Sequence, residues 1–148
     1  MQLSRLVPAL LVLASGTGCG KFKRSKECGA VAGAVSTFVS ASAPTPIGKG
    51  QPASITPTDL ARDARATARR YNELDQRLES LHVQSADLAP RVTHYRELAR
   101  QAAIALEDAA TALEHSDAET ARRKRVEFDA VARSEPALVA EINNICRR

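Results

Sequence analysis

Apolar positions recur along most of this chain with the period of an α-helix. In residues 57–82, Leu60, Ala64, Thr67, Tyr71, Leu74, Leu78 and Leu81 follow one another in steps of four and three. That spacing lines a single helical face. Arg62, Arg65, Arg69, Glu73 and Arg77 fall on the other faces. Thr56 suits the N-cap, Pro57 the first turn, and Asp59 the positive end of the helix dipole. Residues 87–115 repeat the pattern through Leu88, Val92, Tyr95, Ala99, Ala102, Leu106, Ala109 and Leu113. Pro90 is tolerated there because it lies in the first turn.

Two further segments are less regular. Cys28, Val31, Val35 and Phe38 predict a helix over about 27–40. Ser116-Asp117-Ala118-Glu119 has the form of a capping box and predicts a sharp turn into a last helix carrying Phe128, Val131, Leu138, Ile142 and Ile145. Lys124 and Glu135 interrupt that stripe. Pro136 removes an amide donor and predicts a kink or break, with Ser134 available to cap a restart. Residues 42–57, rich in Pro, Gly, Ser and Thr, read as an irregular crossing loop. The expected fold is all-α: an antiparallel four-helix bundle, up-down-up-down, over residues 27–148. Sustained four-three spacing is also compatible with a coiled-coil dimer; the short turn near 83–86 favours an intramolecular hairpin.

Composition agrees. All 7 glycines lie between Gly16 and Gly50, and glycine is the residue, after proline, that most weakens a helix interior. Aromatic residues make up 3% of the chain and Trp is absent, which argues against a β-sandwich or barrel core. The 148 residues suit one domain.

The N-terminus has a separate character. Arg5 precedes an apolar run from Leu6 to Ala14, followed by Ser15, Gly16, Thr17 and Gly18. Basic, apolar and small segments in that order form a secretory signal peptide. The run contains Pro8 and falls far short of the roughly 20 residues a membrane span needs. Val12-Leu13-Ala14 offers an ordinary cleavage site that leaves Ser15 first. Gly16-Thr17-Gly18-Cys19, however, resembles the lipobox of bacterial lipoproteins, where a small residue precedes a cysteine that is acylated and becomes the first residue; Gly16 stands where that family usually has Leu. The resemblance implies removal of residues 1–18 and lipidation of Cys19. Gly20, in place of an Asp after the cysteine, implies the outer rather than the inner membrane. With its seam around Tyr71 and Tyr95 and its ending Ile142-Asn143-Asn144-Ile145-Cys146, the chain resembles small helical lipoproteins of Gram-negative bacteria, including those of the myxobacteria. That likeness bears on location and fold.

The cysteines follow from this reading. The chain has 3, and an exported chain with an odd count leaves one over. If Cys19 is acylated, Cys28 and Cys146 remain to pair in an oxidising compartment. In an up-down-up-down bundle the start of the first helix and the end of the last lie at the same end, which suits that disulfide. Between anchor and bundle, residues 19–26 read as a basic tether. Lys21, Lys23, Arg24 and Lys26 are expected to contact an anionic membrane surface, at about 1 kcal/mol each at most; a solvated, flexible tether is the alternative.

Few residues suggest chemistry. Glu79-Ser80-Leu81-His82 matches the Glu-x-x-His of di-iron bundles, but the partner motif occurs only reversed, as His94-Tyr95-Arg96-Glu97. Glu79 and His82 also flank the apolar seam, so no metal site is expected. There is no Cys-x-x-Cys, no His-Glu-x-x-His and no glycine-rich phosphate loop in the helical part. The basic run Arg122-Arg123-Lys124-Arg125 sits among Glu119, Glu127 and Asp129 and reads as a solvated face, despite a net charge of +4. Tyr71 and Tyr95 read as core. Together these features predict a non-enzymatic, lipid-anchored envelope protein, without cofactor, that meets membrane lipid through acylated Cys19, presents its bundle to an envelope protein partner, and binds no nucleic acid. A periplasmic module for a small ligand or metal is the alternative, followed by a hydrolase whose site carries no motif.

Overall fold

The computed structural model describes residues 19–42 and 56–148, with side chains in the first stretch described from Lys23 to Ser40. The expected signal peptide (1–18) and residues 43–55 of the expected crossing loop lie outside the described residues. Among the described residues four helices make up the fold: α1 (Cys19–Ser42), α2 (Pro57–Ser80), α3 (Ala89–Glu114) and α4 (Ala118–Cys146). They run up, down, up and down. The α2–α3 and α3–α4 interfaces are extensive, while α1 packs chiefly on α2 and only lightly on α4. The protein is therefore an all-α antiparallel bundle, with α3 as its central element.

The helix starts obey capping chemistry. Thr56 accepts from the Asp59 amide at 3.2 Å, and the Asp59 carboxylate accepts from the Thr56 amide at 3.2 Å, a reciprocal capping box ahead of Pro57. At α4 the cap is Asp117, which accepts from the Thr120 amide at 3.0 Å. Ser116, expected in that role, instead closes α3. Its φ is 59°, its amide donates to Leu113 and the Asp117 amide donates to Ala112. This is a Schellman ending with serine where glycine is usual. His82, at φ 48°, ends α2 the same left-handed way. A chain with no glycine after Gly50 has only such residues to use.

The core is small-residue and aliphatic at α3 and aromatic at its middle. Leu74, Leu78, Leu88, Val31 and Tyr95 are the largest fully enclosed side chains; each buried Leu contributes about 1.5–3 kcal/mol. Ala99, Ala102, Ala103 and Ala110 let α2 and α4 approach α3 closely. Phe38 of α1 lies 4.8 Å from Tyr71 of α2 between ring centroids, and Tyr71 lies 6.0 Å from Phe128 of α4 in an edge-on arrangement. These three rings join α1, α2 and α4 across the bundle.

Three expectations change. The first helix begins at Cys19 and not near Glu27, so the backbone of residues 19–26 is helical. Leu60 is 46% exposed, and the α2 seam is buried at Ala61 and Ala68 instead. From Cys28 to Ser42, α1 rises about 21 Å, against about 43 Å for the 29 residues of α4, so α1 stops short of the N-terminal turns of α2. Third, α4 is continuous through Pro136, and Ser134 caps no restart. Its hydroxyl donates back to the Val131 carbonyl at 2.7 Å.

Candidate functional site

Two places concentrate polar or covalent chemistry. The first is the end of the bundle where α1 starts, α2 turns into α3, and α4 finishes. Cys28 of α1 and Cys146 of α4 are joined there, with Cα atoms 5.7 Å apart and a sequence separation of 118. One turn earlier, α1 is fastened to the α2–α3 turn. Lys23 Nζ donates to Gln84 at 2.6 Å, and Arg24 pairs with Asp87 at 2.8 Å. Glu27 accepts from the Gln84 amide at 3.2 Å, the Ser85 amide at 3.1 Å and the Ser85 hydroxyl. The Ser85 hydroxyl bond, together with those amides and nearby Lys23, holds the Glu27 carboxyl below its ordinary value although burial opposes the shift. Glu27 thereby does for the turn what a cap does for a helix.

The expected site residues fall here as follows. Cys19 heads α1, but its side chain and that of Lys21 lie outside the described residues. Lys23 and Arg24 reach the α2–α3 turn, and Lys26 is exposed. Arg147 and Arg148 follow Cys146 and are exposed beside them. Sequence reasoning passed over that pair, although their position directly after the paired cysteine was the signal.

The second place is inside the bundle. Glu135, half-buried on α4, accepts a hydrogen bond from the Tyr95 hydroxyl of α3, and the Tyr71 hydroxyl of α2 faces the same carboxylate. Burial pushes the Glu135 carboxyl above its ordinary value, although hydrogen bonding from Tyr95 and Tyr71 opposes the shift. Burial, reinforced by the Glu135 charge, raises both tyrosines as well. Both therefore remain protonated donors. In sequence Glu135 looked like an interruption of the stripe; two tyrosines on facing seams were the clue that a polar partner belonged between them.

Elsewhere the charges cross-link helices. Asp75 of α2 accepts from Arg96 at 2.7 Å and from Arg100 at 2.9 Å, and Arg96 also reaches Glu79 at 2.7 Å. Burial opposes ionisation of Asp75, but the two guanidiniums overcome it and hold the carboxyl below its ordinary value. Arg65 likewise bridges α2 to Glu107 at 3.3 Å and to Glu114 of α3. Glu79 is thus engaged by Arg96, and His82 lies exposed with its ring nitrogen on the Ser80 carbonyl at 2.7 Å. Among the described residues no group of three His, Cys, Asp or Glu side chains comes together as a metal would require. A shallow apolar cleft beside the disulfide is lined by Val31, Val35, Tyr95, Val139 and Ile142. No described helix is long and apolar enough to cross a membrane.

No protein-family model matches the chain, no curated protein matches it, and no solved structure matches it.

Proposed function

We propose that this chain is a lipid-anchored protein of the bacterial cell envelope whose helical bundle is presented to a protein partner. Residues 1–18 direct export, Cys19 carries the acyl chains, and the outer membrane is the destination. The role is structural or interactive, without catalysis or cofactor, and apart from nucleic acid.

The observation that carries the reading is Gly18-Cys19 directly after the apolar segment Leu6–Ala14. Two features of the described chain support it. Cys19 is the first residue of α1, so an acyl chain there is continuous with a helix fixed to the bundle. The other two cysteines are bonded to each other, which leaves Cys19 with no cysteine partner among the described residues. Single acyl chains anchor only marginally, whereas two or three hold firmly.

Fractionation of cells tests the anchor. The wild-type chain is expected in membranes, released by detergent and not by salt. Cys19→Ala is expected to run as an unprocessed precursor. Identical processing and fractionation of the two forms would exclude acylation at Cys19. Proximity crosslinking in intact cells then tests the presenting role: a reproducible partner supports it, and repeated recovery of none counts against it.

A further inference from the structure

The disulfide does more than close the bundle: it brings two basic segments from opposite ends of the sequence to one place. Lys23 and Lys26 precede Cys28 on α1, and Arg147 and Arg148 follow Cys146. All four side chains are exposed. The acidic groups at this end are already engaged. Asp87 pairs with Arg24, Glu141 with Arg91 at 2.8 Å, and Glu27 with the amides and hydroxyl of the α2–α3 turn. The four cations have no acidic partner among the described residues. Lys23 is bonded to the neutral Gln84, and Arg147 to the Asn143 carbonyl and the Asn144 amide oxygen. The one carboxylate at this end without an ion-pair partner, Glu27, lies near Lys23 and offsets only part of their charge.

The opposite end differs. Asp59, Glu114, Asp117 and Glu119 stand at or beside the start of α2 and the α3–α4 turn. There Arg65 is paired with Glu114 and Glu107, and Lys124 with Asp108 and Glu127. Arg122 and Arg123 have no ion pair there, but Arg123 acts on Asp117 and Glu119 stands on the same helix turn, so the bundle is polar along its axis, with the positive excess at the disulfide end. The helical start of α1 also holds Lys23 and Lys26 on a fixed backbone, not on a loose string.

We infer that Lys23, Lys26, Arg147 and Arg148 form a composite collar that seats the disulfide end of the bundle on an anionic phospholipid surface. The collar rests on the envelope reading for its access to a membrane, but it does not need the acyl chains. It stands the bundle end-on, so that the α3–α4 turn faces away from the bilayer and is the part a partner meets first. Attraction to lipid headgroups falls off within a Debye length, so only the cations at this end contribute.

Every described core residue lies between Cys28 and Cys146, so the chain from residue 19 onward carries the whole of the described core. The test uses that chain unacylated, as the Cys19→Ser variant, in co-flotation with phosphatidylcholine vesicles with and without phosphatidylglycerol. Binding to the anionic vesicles alone, abolished by high salt, is expected. Arg147→Gln with Arg148→Gln lowers it, at about fivefold per cation removed. Arg122→Gln with Arg123→Gln removes the same charge from the far end and leaves binding unchanged. Equal losses from the two pairs, or no preference for the anionic vesicles, overturn the collar. Because no acyl chain is present, either result leaves the question of lipidation at Cys19 to its own test.

Discussion

The Tyr95 hydroxyl of α3 donates to the Glu135 carboxylate of α4, one residue before the proline inside that helix. A carboxylate thus occupies the stripe that should be apolar, and it is paired with phenols and not with a cation. Its raised folded value means that the folded chain holds a proton the unfolded chain has already released. By linkage, the stability this group contributes is fully present below its unfolded value near 4.5 and is lost as pH rises through the folded value. Glu27 and Asp75, whose values are lowered, act in the opposite sense at more acid pH. Glu135→Gln is therefore expected to unfold at a higher temperature than wild type at neutral pH, with the difference shrinking toward pH 5. Melting curves across that range check it; parallel curves for the two proteins would contradict the assignment.

Removing the Cys28–Cys146 bond should act on α1 before the rest. It closes a loop spanning 118 residues, worth about 5 kcal/mol in the chain-entropy account, and α1 has the least extensive packing of the four helices. In Cys28→Ser with Cys146→Ser, amide exchange is expected to show α1 losing protection while α2, α3 and α4 keep theirs. Loss of protection in all four helices together would show that α1 is integral to a single cooperative unit.

Ser116 occupies a left-handed conformation with φ 59°. Non-glycine residues pay about 1–2 kcal/mol there, partly offset by the greater unfolded-state freedom of glycine. Ser116→Gly is expected to stabilise the protein by about 0.5–1 kcal/mol in urea titrations. Destabilisation would mean that the serine side chain has a role beyond ending α3.

Much of this architecture is legible in the sequence, and particular residues show where legibility stops. Leu74, Leu78, Val92 and Tyr95 are buried where the four-three spacing puts them, because neighbouring helices cover that part of the seam. Leu60 has the same spacing and is exposed, since periodicity reports the face of a helix and not how far its neighbour reaches. The early start of α1 was hidden because Gly20 and a run of lysines carry no apolar period; its fixation depends on Gln84, Ser85 and Asp87, more than fifty residues away. Asp117 took the cap from Ser116 for a similar reason: serine was drawn into closing α3. Glu135 was legible only as an irregularity, since its partners lie on two other helices.

The Leu60 finding has its own test. Leu78→Ala, at a fully buried position, is expected to cost about 2–5 kcal/mol. Leu60→Ala should stay within about 0.5 kcal/mol of wild type, as an exposed substitution does. Comparable losses at both positions would mean that a partner or another part of the chain covers Leu60.

In the proposed function one cysteine, Cys19, anchors the chain while Cys28 and Cys146 staple it. The most direct measurement is the intact mass of the native protein extracted from membranes, taken before and after reduction. The expected mass is that of residues 19–148 plus acyl groups, rising by two hydrogens on reduction. An unacylated mass beginning at Ser15 would contradict it: the protein would then be free of the membrane, and Cys19 would become a rival of Cys28 for Cys146.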